Sequence, residues 1–172
     1  MPADFARRKL REAAFFLAEM RRRDGSPRLD MEEEFGYFLS GFLSAARSVS
    51  FVLRKENPAR YEGVRDLWLT ALDPAMRAFV DVMRDQRNAA LKEGTIAAQQ
   101  EVEQVSPLKA YGKHPISVPI ILPWAFAEGA TIGVTKYVLD VDSIHCPAVE
   151  ACQDYLAVLE VLVSRFEPQG GK

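Results

Sequence analysis

The sequence has few of the features that mark secreted, membrane-spanning or strongly basic proteins. Its 172 residues include only two cysteines, Cys146 and Cys152, too few for a disulfide framework. No apolar run approaches the ~20 residues that a membrane span needs, and no secretory signal precedes the first helix. The net charge of −2 argues against a globally basic surface. We therefore expect a soluble cytoplasmic protein that makes no membrane contact.

The composition is otherwise that of a globular protein, with 48% hydrophobic and 27% charged residues. We expect residues 1–172 to form one domain of a mainly α class. Helical spacing of apolar residues predicts a bundle built from 4–94 and 147–167. The expected helices are 4–23, about 30–57, 59–71, 74–93 and one that starts at Pro147.

Two of these helices carry predictions about individual residues. In the first, Asp4 is the expected N-cap, and spacing places Phe5, Ala13, Phe16, Leu17 and Met20 on the buried side. In the fourth, Asp73 is the expected N-cap and Pro74 the first helical residue.

The segment at about 95–145 is interrupted by prolines and is predicted to be a β-hairpin inserted in the bundle. Its expected strands are Ile116–Ile121 and Thr131–Val141. A lone hairpin is only marginally stable in water. We therefore expect it to pack on the bundle, on a second copy of the chain, or on both.

Arg87 is the residue that the helical pattern does not explain. It falls in the middle of the apolar side of the fourth helix, and an arginine is almost never buried without a partner. One interpretation is a structural ion pair, with the Glu32–Glu34 cluster or with Asp85. A second is snorkelling of its head into water, and a third is a site for an anion such as phosphate.

The run Arg87-Asn88-Ala89-Ala90-Leu91-Lys92, which follows a long helix and then Trp68 and Asp73-Pro74, resembles the signature of HEPN domains. The resemblance covers about residues 1–95 and the last helix. It implies a helical bundle that often dimerises. Many members are metal-independent ribonucleases, some of them toxins with an antitoxin partner, and others serve only in binding or assembly. The family's arginine holds the scissile phosphate, a polar residue orients it, and a histidine works near the attacking 2′-hydroxyl.

This sequence departs from that signature at the histidine, which is replaced by Lys92. A lysine is protonated at neutral pH and is a poor general base. The leading hypothesis is therefore a catalytically degenerate HEPN-like homodimer that binds RNA, a nucleotide or a protein partner. Arg87, Asn88 and Lys92 would bind phosphate. One alternative is a toxin-like endoribonuclease that uses the same three residues, and another is a purely structural protein.

Three weaker candidates complete the list. The first helix has a basic face that could follow an RNA backbone or simply be solvated. Asp140, Asp142 and His145 are possible metal ligands or a polar loop. Cys146 could be activated at a helix N-terminus, whereas Cys152 lies on an apolar stripe. No spacing signature supports a metal or a cofactor, and none is expected. The basic residues are Arg7, Arg8, Lys9, Arg11, Arg21, Arg22 and Arg23.

Overall fold

A computed structural model describes residues 3–25, 32–93, 98–105, 131–141 and 144–167. Over these residues the protein is mainly helical and carries a small antiparallel sheet, which confirms the expected class. On the fourth helix, side chains are described through Asp85. The helices are α1 (Asp4–Arg23), α2 (Glu32–Glu56), α3 (Pro58–Ala71), α4 (Pro74–Glu93) and α5 (Ala148–Phe166).

Local capping explains where two of the helices begin. The Asn57 side chain accepts a hydrogen bond from the Arg60 amide at 3.0 Å, and Pro58 opens α3. Asp73 accepts from the Met76 amide at 2.8 Å and caps α4, as predicted. Both side chains satisfy amides that have no partner within the helix.

The prediction that Asp4 caps α1 is wrong. Ala3 holds the cap position with a left-handed backbone (φ 78°) and gives no side-chain cap. Its amide donates to Glu56 Oε2 at 2.9 Å, and Ala3 is fully buried. The contact with α2 therefore fixes how the chain enters α1, and it supports a conformation that costs a non-glycine residue about 1 kcal/mol.

The two longest helices, α1 and α2, pack antiparallel. Phe16 of α1 lies against Gly41 of α2, where an added Cβ would come within 2.7 Å of the Phe16 ring. Gly41 thus allows the two helices to approach closely. The core of the bundle is formed by buried apolar residues of all five helices.

The sheet differs from the predicted hairpin. It contains β1 (Ala98–Val105), β2 (Ile132–Val141) and β3 (Ile144–Pro147), in the order β1-β2-β3. Strand β2 confirms one prediction, but its described partners are β1 and β3, which the sequence did not predict. The expected strand Ile116–Ile121 lies outside the described residues. The pattern missed β1 because that strand is rich in Gln and Glu, which have low β propensity, and it is held by pairing with β2.

The sheet is attached to the bundle through β2. The Tyr137 ring stacks on Phe35 of α2 with centroids 3.7 Å apart. The Gly25 amide, just after α1, donates to the Thr135 carbonyl at 2.6 Å. Non-local contacts of this kind connect the β2 strand to the α1–α2 pair.

Within the described residues, α2 is long and apolar enough to cross a bilayer by length and composition alone. Its large apolar residues Phe35, Leu39 and Phe42 are nevertheless buried in the bundle. The same test is passed by the core helices of soluble proteins. The apolar character of α2 is therefore consistent with a soluble protein.

Candidate functional site

The helix that carries the predicted Arg-Asn motif forms as expected, with Val80 and Met83 buried on its apolar side. Position 87 follows Met83 by four residues, and this spacing keeps both positions on one helix face. The side chains of Arg87, Asn88 and Lys92 lie outside the described residues. Their roles as phosphate ligands or catalytic groups therefore stay predictions.

The carboxylates considered as partners for Arg87 have other partners where they are described. Glu33 accepts a hydrogen bond from the Tyr37 hydroxyl, and Glu34 accepts from Arg23 Nε at 2.9 Å. Asp85 lies 3.3 Å from Arg84 Nε. These contacts support neighbouring turns of the surface rather than an internal acid cluster.

The residues proposed as metal ligands form no cluster that the structure describes. Asp140 and His145 are cross-strand partners in β2 and β3, and Asp142 lies outside the described residues. His145 is exposed, and its Nε2 atom is 3.7 Å from Glu101 Oε1. No group of three potential metal-binding side chains occurs among the residues that are described.

The thiols are not activated. Cys146 lies in β3 rather than in the helix, and burial raises its pKa, with a further increase from nearby Glu150 and Asp154. The proposal of a lowered Cys146 pKa is therefore wrong. Cys152 is fully buried in α5, and burial raises its pKa strongly. Burial likewise raises the pKa of Tyr155 to about 12, although Arg47 and Arg84 oppose the shift. All three groups stay protonated at neutral pH.

The predicted basic face of α1 is present. Seven basic and three acidic residues give α1 a net charge of +4, against −2 for the chain. Some of these cations are used structurally: Arg7 binds Glu167 through two hydrogen bonds, and Arg21 binds Gln153 at 2.7 Å. By contrast, Arg8 and Arg11 make no ion pair with any described residue.

Next to this face, the start of α1 and the end of α2 enclose a concave cleft of about 680 Å³, here named the α1–α2 groove. It contains two apolar walls and a set of charged groups. Two of those charges are matched locally, since Lys9 Nζ binds Glu12 at 2.6 Å and Glu56 accepts from the Ala3 amide. Lys55, like Arg8, has no acidic partner among the described residues. The lining residues are Phe5, Arg8, Lys9, Glu12, Val52, Lys55 and Glu56.

Phenyl rings lie open to solvent in and beside the groove. Phe5 is 66% exposed, which corrects the prediction that it lies on the buried side of α1. Phe15, seven residues after Arg8, and Phe51, four residues before Lys55, are also more than half exposed. These spacings place each of the two rings on the same helix face as the neighbouring cation.

Sequence reasoning found the basic face of α1 but missed the contribution of α2. Neither Lys55 nor Phe51 was singled out. A usable signal was that Phe51 falls off the apolar stripe of α2, so its ring has no place in the core. The groove itself needs two segments about 45 residues apart in sequence to meet, which helical periodicity alone does not show.

No protein-family model, curated protein or solved structure matches this chain. Function is therefore inferred from the chemistry of the chain's own residues.

Proposed function

We propose that this protein is a cytoplasmic, non-enzymatic nucleic-acid-binding protein with an HEPN-like helical bundle. The observation that carries the proposal is the concentration of positive charge on α1 in a chain that is acidic overall. Cations that lack acidic partners attract phosphates, because they release the counterions condensed on the nucleic acid. Arg8 and Arg11 on α1 and Lys55 on α2 are the described cations of this kind.

The distribution of the remaining charge supports binding on one side of the molecule. Strand β1 contributes Glu101 and Glu103, and α5 has three acidic residues against one basic residue. A polyanion is repelled by these elements and attracted by α1. The asymmetry therefore orients a nucleic acid, although the net charge of the chain is negative.

The titration of the described groups favours binding over catalysis. The raised pKa values of Cys146, Cys152 and Tyr155 are the opposite of what an activated nucleophile requires. The substitution of Lys92 for the family's histidine removes the expected general base. In this proposal Arg87, Asn88 and Lys92 add phosphate contacts on α4, and the protein acts as the homodimer that the resemblance implies.

Fluorescence anisotropy with a labelled 12-nucleotide RNA tests the proposal. The test variant is Arg8→Gln/Lys55→Gln, and the matched control is Arg65→Gln/Arg165→Gln, which removes the same charge from α3 and α5. We expect wild type and control to bind with a strong salt dependence. In the test variant, the slope of log K against log salt falls by about 2, one unit for each lost phosphate contact. No salt-dependent RNA binding by the wild type would overturn the proposal.

The same samples address the ribonuclease alternative. Labelled single-stranded and structured RNAs are incubated with the protein and EDTA and then separated on a denaturing gel. We expect intact RNA. Cleavage by the wild type that is absent in a folded Arg87→Ala variant would overturn the non-enzymatic part of the proposal and make Lys92 the next residue to substitute.

A further inference from the structure

The α1–α2 groove combines a flat apolar surface with unmatched positive charge. Its exposed surface includes the Phe5 ring, opposite the side chain of Val52, and Arg8 and Lys55 lie beside them. Exposing a large ring costs hydrophobic free energy unless some partner covers it. A partner for this groove must therefore present a flat apolar group next to an anion.

The backbone holds the Phe5 ring at the groove. Ala3, two residues earlier, is buried and its amide is bound to Glu56 at the end of α2. The Arg7 amide donates to the Ala3 carbonyl at 2.9 Å, which closes the first turn of α1. The first turn is thus attached to both helices, and the ring position is set before any ligand arrives.

The acidic residues of the groove do not cancel its positive charge. Glu12 is neutralised by Lys9 at 2.6 Å, and Glu56 is occupied by the Ala3 amide. Arg8 and Lys55 remain available on opposite sides of the cleft, one from each helix. Two cations that flank a phenyl ring are complementary to a base with a phosphate on either side.

We infer that the α1–α2 groove is a stacking site for an unpaired base of a single-stranded nucleic acid. Phe5 stacks on the base, while Arg8 and Lys55 bind the adjacent phosphates. Phe15 and Phe51 offer further stacking surfaces along the same strand. In a duplex the faces of the bases are covered by their neighbours, so the site selects single strands. This inference rests on the proposed function and names its substrate class.

An anionic membrane surface is the competing occupant, because basic residues and exposed phenyl rings also suit a lipid interface. The concave shape of the groove argues against it. A cleft of about 680 Å³ between two helices encloses an inserted group, whereas a bilayer presents a broad surface. Anionic vesicles therefore serve as a separate probe in the experiment.

The experiment compares Phe5→Ala with Leu67→Ala, which removes an equally exposed apolar side chain from α3. Each variant is titrated with a labelled 12-nucleotide single strand, as RNA and as DNA, with a duplex of the same sequence, and with anionic phospholipid vesicles. Loss of one stacking contact weakens single-strand binding by roughly fivefold to a hundredfold. We expect this loss in Phe5→Ala alone, with duplex affinity unchanged. Tighter binding of RNA than of DNA would identify the sugar as part of the recognition.

A Phe5→Trp variant provides a direct readout of stacking. We expect its tryptophan fluorescence to be quenched by a single strand and not by a strand with abasic sites at every position. Equal weakening of single-strand and duplex binding in Phe5→Ala, or no weakening, would overturn the stacking site while leaving the proposed function intact. Vesicle binding that depends on Phe5, without any effect on single strands, would overturn it in favour of a lipid surface. If the wild type binds no nucleic acid, the proposed function itself fails.

Discussion

Helices α1 and α5 are neighbours of nearly equal length, but they use their surfaces differently. Of the 19 residues in α5, ten are buried, whereas α1 buries five of its 20. The outward side of α1 carries a net charge of +4 and two exposed phenyl rings. That of α5 is acidic, and Val161 is its largest exposed apolar side chain.

The difference separates residues that the fold requires from residues that it does not. Leu159, Leu162 and Phe166 of α5 are almost completely buried, so packing accounts for their identity. Phe5 and Phe15 of α1 contribute little to the core, and Arg8 has no acidic partner among the described residues. Side chains that packing does not explain are the better candidates for binding.

The largest expected effect is on the core side of this comparison. Leu159→Ala leaves a cavity at a side chain that is 1% exposed, and we expect it to lower the free energy of unfolding by about 3 kcal/mol. Urea denaturation followed by circular dichroism measures the change. Below the unfolding transition, the affinity of the variant for RNA should equal that of the wild type, because α5 lies outside the groove.

The matched control is Val161→Ala, two residues further along α5, where the side chain is 46% exposed. Surface changes of this kind alter stability by less than about 0.5 kcal/mol. Similar losses in the two variants would show that the outer side of α5 is also covered, and the contrast with α1 would then disappear.

Much of this helical architecture could be predicted, because it is encoded locally. The capping of α4 by Asp73 and the breaks around Pro58 and Gly25 depend on short-range chemistry. Strand β1 and the entry into α1 could not be predicted in this way. The first depends on pairing with β2, and the second on a hydrogen bond from Ala3 to Glu56, more than 50 residues away.

The candidate site was predictable only in part, for the same physical reason. The charge of α1 is visible in its sequence, so its basic face was found. Helical spacing assigned Phe5 to the core, but spacing gives only a direction, and the structure shows an open cleft in that direction. Whether Arg8 or Lys55 has an acidic partner depends on which helices meet.

A smaller effect concerns the close approach of α1 to α2. Alanine at a helical glycine gains about 1 kcal/mol of helix propensity. At Gly41, however, the new Cβ would lie 2.7 Å from the Phe16 ring, and overpacking costs about 1–3 kcal/mol. We expect Gly41→Ala to be less stable than the wild type by about 1 kcal/mol in urea denaturation.

Gly36→Ala, in the same helix, is the control because its Cβ would meet nothing within 4 Å. We expect it to raise stability by about 1 kcal/mol. If both alanines stabilise the protein equally, the Phe16 ring moves aside freely, and the α1–α2 contact does not depend on a glycine.

The smallest effect is expected where α1 and α5 are joined by charge. Arg7 Nε and Nη2 donate to the Glu167 carboxylate at 2.5 and 2.6 Å, and these hydrogen bonds lower the pKa of Glu167. A carboxylate with a lowered pKa in the folded state stabilises the protein above its unfolded pKa, and that stability is lost as the pH falls through the folded value. The urea midpoint of the wild type should therefore decrease slightly more than that of Glu167→Gln between pH 6 and pH 3. Both side chains are partly exposed, so added salt should reduce the difference. Arg7→Gln should behave like Glu167→Gln, and parallel pH profiles for all three proteins would mean that this pair adds nothing to the contact between α1 and α5.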